Sequence, residues 1–110
     1  MRVWISSPAR LAAAAAALLA AGAALAQDAH RARNLAATCA TCHGTDGQAR
    51  GEMKVLAGLP AEQTVAAMTA YRSGARPAMV MQQIAKGYTD EQIQAVAGYF
   101  AAQPAPSPRR

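Results

Sequence analysis

The chain has 110 residues, a hydrophobic content of 53%, two cysteines, and 11 Lys and Arg against six Asp and Glu. That length allows one small domain with a thin core of its own. The formal net charge of +5 permits docking to an acidic partner, but it does not argue for nucleic acid.

The first stretch reads as a leader rather than as fold. Arg2 and Arg10 give a positive start, Leu11 to Leu25 is an unbroken run of Leu, Ala and Gly, and Ala24-Leu25-Ala26 is a small-x-small cleavage pattern. The run is 15 residues, short of the ~20 that a spanning helix needs, so a cleaved secretory signal over 1–26 is expected rather than an anchor. Cleavage before Gln27 leaves 84 residues, with nine basic and six acidic, and no membrane span. Export with cleavage suits a periplasmic location.

Asp28 can cap a first helix whose apolar stripe runs Ala32, Leu35, Ala36 and Cys39. The same spacing reaches Cys42 and His43, and Gly44 is expected to end the helix in the left-handed conformation.

Cys39-Ala40-Thr41-Cys42-His43 is a Cys-x-x-Cys-His motif, the attachment site of a c-type haem. Helical positions three and four apart share a face, so two thiols can add to the two vinyl groups of one porphyrin. The adjacent imidazole then reaches the iron as an axial ligand. A thioredoxin-like thiol pair would need strand–helix–strand surroundings, and the chain has no strand pattern. A structural zinc would need four ligands, and His30 stands alone upstream. One motif means one haem, and with both cysteines committed there is no structural disulfide.

Thr45 to Gly58 is a loop, whose apolar Met53, Val55 and Leu56 are expected to pack on the haem edge. Pro60 opens a second helix over about Ala61 to Arg72, with Ala67, Met68 and Tyr71 inward and Gly74 as the stop. Met68 lies mid-helix and reads as core. Pro77 is expected to hold Arg76 to Tyr88 extended across the other haem face. Thr89-Asp90-Glu91-Gln92 is a capping box for the last helix, with Ile93, Val96, Ala97 and Phe100 buried. The domain is expected to cover 27–103, followed by a disordered Pro-rich tail over 104–110 that ends in Arg109-Arg110.

The expected fold is therefore all-α: three main helices and loops wrapped around one covalently bound haem, the first and last helices packed together. Met53, Met68, Met79 and Met81 are the candidates for the sixth iron ligand. Met79 and Met81 would face the same side in an extended loop, and periodicity does not choose between them. A closed imidazole–thioether iron moves single electrons, whereas an open one binds oxygen, carbon monoxide or peroxide.

Cys39 to Gly44, Leu56-Ala57-Gly58, the run from Met81 to Glu91 and the final Tyr99-Phe100 resemble class I cytochromes c. Tyr71-Arg72-Ser73-Gly74 and Arg76-Pro77-Ala78 make the chain most similar to the monohaem cytochrome subunit of flavocytochrome c sulfide dehydrogenase. The resemblance implies that His43 and Met81 hold the iron. It also implies that an FAD-containing sulfide dehydrogenase, or another redox protein, delivers electrons to the haem. The alternative is a free periplasmic carrier between a dehydrogenase or cytochrome complex and a terminal oxidase. The chain lacks a flavin-binding Gly-rich strand–turn–helix and would not oxidise sulfide by itself. Related chains place a proline at position 54, whose carbonyl receives the ligand histidine's N–H; Lys54 stands there instead, and its carbonyl can serve equally. Arg72, Arg76 and Lys86 flank the haem-covering segments and could form a basic docking rim.

Overall fold

The computed structural model describes residues 7–107; Arg2 of the expected leader and Arg109-Arg110 of the expected tail lie outside them. Among the described residues the chain forms α1 (Pro8–Ala37), α2 (Ala40–His43), α3 (Ala61–Ser73), α4 (Met81–Ala85) and α5 (Asp90–Ala101). One 3-10 turn covers Thr45–Gly47, and no strand occurs among these residues. The all-α expectation holds; the three expected helices lie in α1, α3 and α5, while α2 and α4 are short additional turns.

The chain divides into two units, Met1–His30 and Arg31–Arg110. In the first, α1 starts with Pro8, whose missing N–H costs nothing at a helix start. The alanine run supplies the helix propensity, and Leu11, Leu18, Leu19 and Leu25 stay exposed. Asp28 is therefore a mid-helix residue and not the expected cap. By length and composition α1 is apolar enough to cross a membrane, a test that an N-terminal signal sequence also passes.

In the second unit the end of α1 contributes Leu35 and buried Ala36, which pack against Val96 and Phe100 of α5. The expected contact of first and last helices is thus confined to one turn. The first helix also does not run unbroken to Gly44. Thr38 Oγ1 donates to the Leu35 carbonyl, and the Cys39 N–H goes to Ala36 rather than to Leu35. A hydroxyl that takes a backbone acceptor breaks the i→i−4 ladder, and the chain tightens before restarting as α2. Gly44 then turns out with φ 77° and ψ 162°, positive in φ but outside the left-handed helical region expected for it. A side chain there would bring Cβ to 2.3 Å from the Gln48 carbonyl oxygen, so the turn requires glycine.

Helix α3 begins after Pro60, buries Thr64 and Met68, and ends at Gly74 in the left-handed conformation. Ala67 and Tyr71 are half-buried beside them. Arg76 to Tyr88 is not the extended crossing expected from Pro77. Pro77 and Ala78 lead into α4, which is fixed by Ala85, fully buried against Met68 and Ile93. Helix α5 carries the complete capping box: the Gln92 N–H donates to Thr89 Oγ1 at 3.2 Å and the Thr89 N–H to Gln92 Oε1 at 2.9 Å. Its buried residues are the expected Ile93, Val96, Ala97 and Phe100.

Among the described residues, half of the eight buried hydrophobic ones are alanine, and only Phe100 and Ile93 are large and fully enclosed. They form two small clusters, Ala36/Val96/Phe100 and Met68/Ala85/Ile93, and half-buried Tyr88 packs against both. Pro104 and Ala105, at the start of the expected tail, make contacts: Gln48 Nε2 donates to the Pro104 carbonyl at 2.7 Å, and Ala105 lies against Gly58.

Candidate cofactor site

The two thiols come from consecutive pieces of backbone. Cys39 is half-buried in the turn between α1 and α2, Cys42 is exposed on α2, and both are free. Burial pushes the Cys39 thiol above its ordinary range, partly offset by a hydrogen bond from Thr38. The His43 N–H reaches back to the Cys39 carbonyl at 2.8 Å, which places the imidazole one turn from the first thiol.

His43 Nδ1 lies 2.7 Å from the Lys54 carbonyl oxygen. A carbonyl only accepts, so Nδ1 is the donor and in the neutral ring the lone pair lies on Nε2. This is the arrangement that orients a metal-binding imidazole and raises its basicity. The substitution of lysine for proline thus leaves the expected hydrogen bond in place. The loop that presents Lys54 is tied to the core. Gly47 accepts the N–H groups of Leu56 and Ala57, and the Gly58 N–H donates to the Phe100 carbonyl at 2.9 Å.

The four thioethers fall into different surroundings. Met68 is core, as its helical position predicts. Met79 is 94% exposed and Met53 45% exposed. Met81 is half-buried at the first position of α4, against the Met68/Ala85/Ile93 cluster. Met79 and Met81 therefore do not share the extended face expected of them.

Two free thiols, an imidazole held at Nδ1 by a carbonyl and a half-buried thioether are a donor set whose chemistry fits a covalently held porphyrin. Among the described residues no three His, Cys, Asp or Glu side chains gather as a separate metal site. An open polar cleft of about 420 Å³ is lined by Cys42, Thr41, Gln48 and Arg50, and its lining includes neither His43 nor Met81.

The basic rim is reduced by one member. Arg72 Nη1 donates to the Tyr88 carbonyl at 3.1 Å, and Nη2 pairs with the Asp90 carboxylate. Arg76 stacks over the Tyr71 ring at 5.1 Å, and Lys86 is exposed. The hydrogen bond between Tyr88 and Thr38 joins residues 50 apart and left no local signal in the sequence.

A family model described as cytochrome c oxidase, cbb3-type, subunit III matches residues 26–100. The cytochrome subunit of sulfide dehydrogenase from Chlorobaculum tepidum is 39% identical over 66 residues, 60% of this chain and 60% of that protein. The thiosulfate dehydrogenase electron acceptor of Stutzerimonas stutzeri is 44% identical over 73 residues, 64% of this chain and 34% of that protein. The chain thus spans less than two thirds of the length of both. Cytochrome c-553 of Desulfomicrobium norvegicum is 36% identical over 72 residues, covering 63% of this chain and 90% of that protein. With its motif, its all-α fold and a family match over residues 26–100, the chain belongs to this cytochrome c family, as a small protein of the class I type.

Proposed function

We propose that the protein is a periplasmic single-electron carrier in which Cys39 and Cys42 hold one haem c covalently and His43 and Met81 are its axial ligands. The hydrogen bond from His43 Nδ1 to the Lys54 carbonyl carries this reading, because it leaves Nε2 as the only ring nitrogen able to bind iron. When bound, the haem supplies a one-electron couple. Cys39 and Cys42 fix its position, Lys54 orients His43, and Met81 closes the remaining axial position. The apolar N-terminal run supports export with cleavage after Ala26.

The donor is an FAD-containing sulfide dehydrogenase. The printed names of two relatives, a subunit of sulfide dehydrogenase and an electron acceptor of thiosulfate dehydrogenase, support a dehydrogenase of a reduced sulfur compound. The second reading, a free carrier serving a terminal oxidase, draws on the family description, which names an oxidase subunit. Pull-down from periplasmic extract separates them: a co-purifying flavoprotein supports the first, and recovery of none at any salt concentration supports the second. Reduction of the haem by that flavoprotein should slow as salt is raised if exposed Arg76 and Lys86 guide docking.

A further inference from the structure

The run from Met81 to Glu91 contains a tyrosine to which electron carriage assigns no task. Tyr88 packs against both core clusters and is the residue that joins them. Its backbone continues directly from α4, with the Gly87 N–H on the Ile84 carbonyl and the Tyr88 N–H on the Ala85 carbonyl. The Tyr88 backbone is thus continuous with the helix that Met81 begins. At the other end of the side chain, the hydroxyl is 2.7 Å from Thr38 Oγ1, on the residue before Cys39.

Thr38 Oγ1 also lies 3.2 Å from the Leu35 carbonyl, and its single proton serves one acceptor at a time, so when Thr38 donates to Leu35 the Tyr88 hydroxyl donates to Thr38 Oγ1. A third restraint comes from α3, where Arg72 grips the Tyr88 carbonyl with one nitrogen and Asp90 with the other. The bend between α4 and α5 is thus tied to α3 by its backbone and to the thiol-bearing segment by its hydroxyl.

We propose that Tyr88 is a positioning residue for Met81, tying the segment that presents the thioether to the segment that carries Cys39. The inference rests on the reading of Met81 as the sixth ligand. Its physical content is a bias on an equilibrium. A swing of α4 would carry Met81 away from the iron, and the Tyr88–Thr38 hydrogen bond opposes that swing.

The test uses holoprotein with haem attached. In the reduced state, carbon monoxide binds only when Met81 has left the iron, so its binding rate reads the open fraction. Loss of one hydrogen bond in Tyr88→Phe, with the ring kept in both clusters, should raise that rate about five-fold, which is about 1 kcal/mol at ~1.4 kcal/mol per decade. Thr38→Val, which also loses the bond to the Leu35 carbonyl, should raise it at least as much. The double variant should be no faster than Thr38→Val, because the bond that Tyr88→Phe removes is already lost there. Tyr99→Phe, which loses a hydroxyl bond to Asp46, should keep the wild-type rate and so control for general loosening. A Tyr88→Phe rate within two-fold of wild type, or effects of the two substitutions that simply multiply, would overturn the inference while Met81 stays the ligand. If oxidised wild type lacks the thioether-to-iron charge-transfer band, or Met81→Leu retains it, the ligand reading itself fails and the inference falls with it.

Discussion

Phe100 tests how this small protein is held together. It is 1% exposed, packs with Ala36 and Val96, and meets Tyr99 edge-on at 5.4 Å between ring centroids. Its ring also limits Gly47, where an added Cβ would sit 2.9 Å from Phe100 Cδ1. Replacement by Ala removes a fully enclosed ring from a cluster whose other buried members are Ala36 and Val96. Half-buried Leu35, Leu56, Tyr88 and Tyr99 can refill the space only in part, so the cost should reach about 3–5 kcal/mol. For the 80 residues of the second unit a typical total stability is about 4–12 kcal/mol, so the loss is a large share of the whole. Each kcal/mol lowers the midpoint of a domain this size by about 4–8 °C, and Phe100→Ala should therefore melt at least about 12 °C lower. Phe100→Leu, which refills part of the volume, should lose less than about half as much. The assay is thermal and urea unfolding of the holoprotein by far-ultraviolet circular dichroism. An Ala variant within about 1 kcal/mol of wild type, with an unchanged urea slope, would refute the claim that Phe100 anchors the core.

Gly44→Ala should prevent a stable α2-to-loop turn, because Cβ would press on the Gln48 carbonyl; a loss below about 1 kcal/mol in urea unfolding would contradict it. The Tyr99 phenol donates to Asp46, and that hydrogen bond, first among its causes, raises its pKa above the ordinary value. The neutral phenol is favoured by folding, so this contribution is present below about pH 10 and is lost as pH rises through the raised folded value. Ultraviolet titration should show a late-ionising tyrosine that returns to the ordinary range in Asp46→Asn. The Cys39→Ala, Cys42→Ala double variant, made without haem, should be largely molten, given how few large side chains are enclosed. Cooperative melting with full native helicity would show that the chain needs no cofactor.

Local signals carried most of the fold. The Thr89/Gln92 capping box and the stripe Ile93, Val96, Ala97, Phe100 are written within one helix, and α5 matches them residue for residue. Pro60 and Gly74 bracket α3 for the same reason. The bias of Pro77 toward extended backbone was overridden beyond Ala78, since burial of Ala85 between α3 and α5 sets the next turn and five residues are too few to show a period. The bond from Thr38 to Tyr88 depends on a partner 50 residues away. At the site, the Cys39, Cys42 and His43 cluster is legible from its spacing alone. The role of Lys54 was legible only by resemblance, because a backbone carbonyl leaves no mark on residue identity. Arg72 shows the limit of reading charge from sequence: its neighbours make it a strut rather than a docking charge.

The axial assignment is the central claim, and the absorption spectrum of oxidised holoprotein tests it most directly. Wild type should show the weak long-wavelength band of a thioether on ferric haem. Met79→Leu, at a site 94% exposed, should keep the band, while Met81→Leu should lose it and bind carbon monoxide readily when reduced. Loss of the band in the Met79 variant alone would transfer the ligand to Met79, and its absence from wild type would contradict a closed His43–Met81 iron.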